Sequence, residues 1–333
     1  MKAVVLVGGF GTRLRPLTLA TPKQMLPVVN RPMIERVVEH LARHGVDQAV
    51  LSLGYRPDAF IEAYPDGCCG GIALHYAVEP EPLDTAGAIG FAARHAGIDG
   101  RFLVMNGDVL TDLDVTALVQ AHEAAGAEGT IALHRVSDPS AYGVVPTDAD
   151  GRVTAFIEKP PRDEAPTDLI NAGTYVLEGS FLDRIEPGRR INVERSTFPA
   201  MVADGTLYAF DGDTYWVDAG TPETYLAANM DLIAGRRGAA EDGVHPLAEV
   251  TGTVESSVLG SGAVVEAGAV VARSVLLGGA TVQGGATVTD AVVGSGAIIE
   301  AGAAVDSGSV IGDDVTVPAG TRVSGRRVPE ETA

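Results

Sequence analysis

The sequence predicts an α/β domain with a mostly parallel sheet covered by helices on both sides, followed by a parallel β-helix. Three observations predict it. Short apolar runs alternate with helical periodicity up to about residue 235, the pattern of strand–helix–strand units. A small, polar, glycine-rich segment at 235–243 then breaks that pattern. Beyond it, aliphatic residues recur at every sixth position among small ones, which marks the stacked coils of a β-helix. The expected organisation is a first domain over 1–235, a linker over 236–250, coils over 251–325 and a tail over 326–333.

Each element has its own warrant. Residues 3–7 (Ala-Val-Val-Leu-Val) are continuous enough for a strand buried on both faces. Ile34, Val37, Val38 and Leu41 repeat at helical spacing behind Pro32, which suits a first turn. Runs at 49–53, 72–78 and 101–106 read as further strands, 115–125 as a helix and 153–157 as strand-like. In the coil region Leu259, Val265, Val271 and Leu277 head successive hexads, with Gln283 keeping phase. After a four-residue slip, Val293, Ile299, Val305, Ile311 and Val317 resume the period. Roughly three hexads per turn make about four coils.

Charge narrows the function classes. The 333 residues carry 24 Lys+Arg against 44 Asp+Glu, a net −20. That argues against nucleic-acid or anionic-membrane binding, which needs a basic face. Residues 1–34 nevertheless hold Lys2, Arg13, Arg15, Lys23 and Arg31 and no acid, leaving −25 on the remainder. One short segment is therefore built to meet anions. The two cysteines, Cys68 and Cys69, are adjacent and cannot staple a fold. No signal peptide or membrane span is expected, and the chain reads as cytoplasmic.

The anion-binding segment has a definite form. After the first strand comes Val7-Gly-Gly-Phe-Gly-Thr-Arg-Leu-Arg-Pro-Leu-Thr18. Gly8, Gly9 and Gly11 let the backbone approach a phosphate and turn its N–H groups inward. A Walker A loop would need Gly-Lys-Ser/Thr, and a dinucleotide fingerprint a third glycine where Leu14 stands. Instead the turn offers Arg13 and Arg15, with Lys23 in Thr21-Pro-Lys-Gln-Met-Leu-Pro27. Guanidinium donors beside a glycine nest suit a polyphosphate whose charge must be stabilised as it leaves, and so nucleotidyl transfer.

These residues resemble the nucleotide-sugar pyrophosphorylases. The blocks that carry the resemblance are Gly8-Gly-Phe-Gly-Thr-Arg-Leu-Arg-Pro16, Pro22-Lys-Gln-Met-Leu-Pro27, Glu81-Pro-Leu-Asp-Thr-Ala-Gly87, Asn106-Gly-Asp108, Phe156-Ile-Glu-Lys-Pro160, Asn171-Ala-Gly173 and Trp216-Val-Asp-Ala-Gly220. They follow the family's order along essentially the whole chain. The resemblance implies a Rossmann-like, glycosyltransferase-A-like catalytic domain followed by a left-handed β-helix. It implies that a nucleoside triphosphate joins a sugar 1-phosphate and pyrophosphate departs. It assigns Gly8, Gly9, Gly11, Thr12, Arg13, Glu79 and Gly87 to the nucleotide, and Gly143, Glu158, Lys159 and Asn171 to the sugar phosphate. Asp108 and Asp218 would hold Mg²⁺, with Arg13, Lys23, Asp108 and Lys159 forming the catalytic set. No general base is expected, because a phosphate monoester is already largely dianionic at neutral pH.

The branch resembled most is mannose-1-phosphate guanylyltransferase. Glu79 falls where the family faces the base, and a carboxylate can accept both N1–H and N2–H₂ of guanine. GTP and mannose 1-phosphate are therefore the expected substrates. Gln24 is more usual in thymidylyltransferases, and Asp84 stands where the guanylyl branch usually has glycine, which keeps dTTP with glucose 1-phosphate, or a guanylyltransferase for another sugar or cyclitol phosphate, as the alternative. Acyl transfer by the β-helix is disfavoured because residues 251–333 contain no histidine. That domain is expected to support a homo-oligomer. A regulatory subunit that binds nucleotide sugar without turnover is the remaining class.

Overall fold

Strand after strand in the first half ends at one edge of a single sheet, and that edge collects several of the predicted site residues. The structure is a computed structural model, and it describes residues 1–54, 56–212 and 214–330. Residues 331–333 of the expected tail lie outside the described residues. The chain forms two compact units. One comprises Met1–Gly9 with Ile34–Trp216, the other Phe10–Met33 with Val217–Ala333.

The first unit is built on ten strands: β1 (Lys2–Leu6), β2 (Gln48–Leu53), β3 (Cys68–Cys69), β4 (Ile72–Val78), β5 (Phe102–Asn106), β6 (Gly129–Arg135), β7 (Gly143–Val144), β8 (Ile157–Glu158), β9 (Leu169–Leu177) and β10 (Leu207–Asp211). Their order is β8-β7-β9-β5-β1-β2-β4-β3, with β6 on β9 and β10 on β6. The heart, β5-β1-β2-β4, is parallel, and β9 joins it antiparallel through β5. This is a mixed, Rossmann-like sheet. Of its central strands β1, β2 and β5 are nearly all buried, as continuous apolar runs require, while β4 alternates buried and exposed residues.

The helices are α1 (Met33–Arg43), α2 (Pro57–Ala63), α3 (Asp84–His95), α4 (Val115–Ala125), α5 (Phe198–Asp204) and α6 (Pro222–Ile233). Pro32 sits one residue before α1, paired with Pro27 in a two-stranded turn. The strand expected at 153–157 contracts to β8, with only an isolated bridge from Val153 to Thr147. Apolar side chains from α3, the sheet and α5 close a core that includes Ile89, Phe102, Tyr175, Phe181 and Phe198.

In the second unit three parallel five-stranded ladders form the sides of a left-handed β-helix. Its coils begin at Glu249–Val250 and end at Arg327–Val328. The hexad phase differs from expectation in one stretch. Leu276, Val282 and Val288 fill the interior, where the period predicted Leu277 and Gln283. The reason is a short corner, because five residues rather than six separate Val271 from Leu276 and Val288 from Val293. Through this corner successive coils repeat every 17 residues, as in Thr253 on Val270 on Thr287, and the repeat lengthens to 18 where Val310 stacks on Val292 and Arg322 on Ala304. Ser256, Arg273, Asp290 and Ser307 stack at that corner, all with positive φ, and Arg273 Nε donates to Asp290 Oδ1 at 2.7 Å.

Candidate active site

Gly8 leaves β1 at the carboxyl edge of the parallel strands, where ligands gather in open α/β sheets. A Cβ on Gly8 would lie 3.3 Å from Glu79 Oε1, so the glycine lets backbone and carboxylate meet. Glu79 follows β4 at the same edge. Its Oε1 accepts from Ser52 Oγ at 3.0 Å, and its Oε2 accepts from the Leu83 amide at 3.0 Å. Each oxygen keeps one further lone pair, so the carboxylate is oriented and still able to accept.

Asp108 lies just past β5 at that edge and is only 8% exposed. The Gly107 amide donates to Leu6 O at 3.0 Å, tying the Asn106-Gly-Asp turn to β1. Asn106 meets a second predicted block. Gly173 has φ +74, and a Cβ there would fall 2.5 Å from Asn106 Nδ2. Register in the β9–β6 pair shifts between Asn171 and Tyr175, so Gly173 forms a bulge that admits the asparagine. Asn171 is fixed locally, its Oδ1 accepting from the Gly173 amide and its Nδ2 donating to Tyr175 Oη at 2.8 Å.

The structure also brings Gly143, Glu158 and Lys159 together. Gly143 pairs with Glu158 across β7–β8, and a Cβ on it would press Phe156 at 2.7 Å. Lys159 Nζ stands 3.6 Å from Glu158 Oε1. The lysine has φ +50, and its amide donates to Tyr142 O at 3.0 Å. Such a backbone costs about 1–3 kcal/mol and persists where the surroundings demand it. Gly87 has a packing role, buried in α3 with Arg189 O 2.6 Å from where its Cβ would be.

In the second unit the glycine turn is open, with Thr12 and Arg13 exposed. Gly11 has φ +63, and its carbonyl accepts from Thr18 Oγ1 at 2.7 Å. A side chain on Gly11 would meet Lys23 Cβ at 3.2 Å, so the turn and the Pro-Lys-Gln segment lie side by side. Arg13 Nη2 sits 3.6 Å from Asp218 Oδ2. The carboxylate partner absent from the first 34 residues thus arrives from 205 positions along the chain. Gly220 makes room for the pair, since a Cβ there would be 2.6 Å from Arg13 Nη2. Gln24, a departure toward the thymidylyl branch, is buried at 1% exposure, so its amide is part of the interior.

Sequence reasoning missed Thr85, Asn192 and Glu194. Thr85 Oγ1 donates to Glu194 Oε2 at 2.8 Å, and Asn192 Nδ2 donates to Asp84 Oδ1 at 3.0 Å. Burial pushes the Glu194 carboxyl above the usual carboxylate range, and repulsion from Glu158 and Asp84 adds to it. Asn192 also caps the turn at Val193–Thr197, accepting from the Arg195 amide at 2.8 Å. An Asn-x-x-Arg cap was the only local signal.

Whether a divalent cation suits these residues is a question of donor chemistry. Among the described residues no group of three or more His, Cys, Asp or Glu gathers as a cage. Hard cations such as Mg²⁺ commonly use one or two carboxylates and take the rest from substrate phosphates and water. Asp108, in the first unit, and Asp218, in the second, are each oxygen donors of the kind such a cation takes.

A parallel sheet whose first strand runs straight into a phosphate-type glycine turn is a feature of nucleotide-handling transferases. The nucleotidyl transferase family model matches residues 2–235, and the model described as the GMPPB C-terminal domain matches 243–331. The chain belongs to the nucleotidyl transferase family, whose members generally use a divalent metal. It is 44% identical over 235 residues to mannose-1-phosphate guanylyltransferase of Mycobacterium tuberculosis, covering 70% of this chain and 65% of that protein. With mannose-1-phosphate guanyltransferase of Schizosaccharomyces pombe it shares 43% over 243 residues, 71% of this chain and 66% of that one. These matches span just under two thirds of the relatives' own lengths. The crystal structure of HddC from Yersinia pseudotuberculosis superposes with a TM-score of 0.60 at 30% identity, over 68% of this chain and 97% of that one. The same protein complexed with GMP-PN matches equally well.

Proposed function

We propose that this chain transfers a guanylyl group from GTP to mannose 1-phosphate, giving GDP-mannose and pyrophosphate. The observation that carries it is the glycine turn that sets Arg13 beside Asp218 and Lys23 beside Gly11, in a chain whose relatives bear that name. In this reading a sugar-phosphate oxygen attacks the α-phosphorus in line, and the bond from that phosphorus to pyrophosphate breaks. Arg13 and Lys23 hold the charge of the departing pyrophosphate, so catalysis is positioning and electrostatics. Gly8, Gly9, Gly11 and Thr12 line the phosphates, and Gly87 keeps α3 close behind them. Lys159 holds the sugar phosphate, while Glu158, Asn171 and the Gly143 backbone orient the sugar. Glu79 accepts from the guanine edge.

Mg²⁺, held by Asp108 and Asp218, would neutralise charge on the triphosphate oxygens. Residues 1–235 would form the catalytic part, 236–250 the linker and 251–325 a β-helix that supports the site and joins copies into a homo-oligomer. The test is pyrophosphate release, read through pyrophosphatase, with GTP, dTTP, UTP and ATP against mannose, glucose and heptose 1-phosphates. Fastest turnover with GTP and mannose 1-phosphate is expected. No turnover with any pair would overturn the proposal in favour of a binding subunit.

A further inference from the structure

The β-helix carries four arginines, Arg273, Arg322, Arg326 and Arg327. Three are spoken for. Arg273 pairs with Asp290, Arg322 with Asp306 and Arg326 with Glu330. Arg327, half-buried on the last coil strand, makes no side-chain hydrogen bond or ion pair among the described residues. It lines an open cleft of about 390 Å³ together with Thr12, Arg13, Thr221 and Glu223. That volume is within the range of small-ligand sites, about 300–1,000 Å³.

A second contact shows that this meeting of coil and turn is built. Pro16, three residues past Arg13, rests on Gly312 so closely that a Cβ at 312 would lie 3.1 Å from its ring. The same Cβ would lie 3.2 Å from the carbonyl of Val328, the neighbour of Arg327. The end of the glycine turn is thus seated on the coils that present the arginine.

Two arginines and two threonines among the five residues that line this cleft make a donor set suited to an anion. Arginine forks match phosphate oxygens in pairs. We propose that Arg327 is a further phosphate-binding residue, which with Arg13 grips the pyrophosphate portion of the triphosphate and the pyrophosphate that leaves. The inference rests on the nucleotidyl-transfer reading above and extends the site into the β-helix. Glu223, which has no ion pair among the described residues, would oppose the anion and so keep pyrophosphate from being held too long.

The experiment is calorimetric titration of inorganic pyrophosphate, with magnesium, into the full chain and its Arg327→Gln, Arg327→Lys and Glu223→Gln variants. Thermal melts report folding. Arg327→Gln should raise the pyrophosphate Kd about tenfold at an unchanged melting temperature. Arg327→Lys, which keeps the charge and loses the fork, should fall between. Glu223→Gln should tighten binding severalfold. An unaltered Kd in Arg327→Gln overturns the inference and leaves the proposed function standing. A wild-type chain that turns over GTP but binds no pyrophosphate overturns it too. If Arg327→Gln fails to fold, an unchanged Kd in both Arg327→Lys and Glu223→Gln decides against it. Absence of turnover with every triphosphate removes the proposed function itself, and that readout is independent of the titration.

Discussion

Replacing Gly173 with alanine should test whether the bulge exists to admit Asn106. Two costs are added. A non-glycine residue at φ +74 loses about 1–2 kcal/mol to left-handed backbone strain. The new Cβ, 2.5 Å from Asn106 Nδ2, forces the asparagine aside at the overpacking cost of about 1–3 kcal/mol. The sum is about 2–5 kcal/mol. Gly45 supplies the control, with φ +78 and no atom within 4 Å of its Cβ position, so Gly45→Ala meets the backbone cost alone. Urea unfolding followed by circular dichroism should show Gly173→Ala less stable than Gly45→Ala by about 1–3 kcal/mol. Turnover should fall in Gly173→Ala and hold in Gly45→Ala, because Asn106 leads directly into the Asp108 turn. Equal stability losses in the two variants would refute the packing argument. Full activity in Gly173→Ala would refute the link from the bulge to the site.

Four further outcomes follow from the geometry. Arg13→Gln should lower kcat/KM about 10²–10³-fold, and Asp108→Ala should abolish metal-dependent turnover with the far-ultraviolet spectrum unchanged; steady-state kinetics checks both. Glu128 accepts from Arg184 Nε and Nη2 at 2.7 Å each, and that guanidinium holds its carboxyl below the usual range. Its contribution to stability is therefore complete above the ordinary glutamate value, about 4.3, and is lost as pH falls through the lower folded value. Glu128→Gln should flatten the decline of the urea midpoint below about pH 4.3. In the β-helix, Leu276→Ala should cost about 2–5 kcal/mol, while Gln283→Glu stays within about 0.5 kcal/mol, measured by thermal unfolding.

Much of this was legible because single residue types carry the signal. The glycine turn, the continuous strand at its front and the six-residue period each depend on neighbours within a few positions. Other features depend on partners far away. Nothing near Arg13 announces Asp218, and nothing near Arg327 announces Arg13. The coil phase slipped for a local reason, since Val275-Leu276-Leu277 offers three aliphatics and the period alone cannot choose the one that faces in. A corner one residue short decides it. Glu194 stayed hidden because one glutamate in a polar stretch looks solvated until Thr85 and the neighbouring acids are in place.

The coil stack also works as a ruler. Each turn of the β-helix raises the chain by one strand spacing, about 4.8 Å, and the seat for Pro16 belongs to the upper turns. Excising 17 residues such as 270–286 would bring Thr287 to the place of Val270 and leave every remaining ladder matched. Yet Gly312 and Arg327 would then stand about 4.8 Å too low for the turn they meet. If Arg327 binds phosphate there, the number of storeys is a functional dimension of the molecule, because it sets the height at which Arg327 meets Arg13 across the cleft they share.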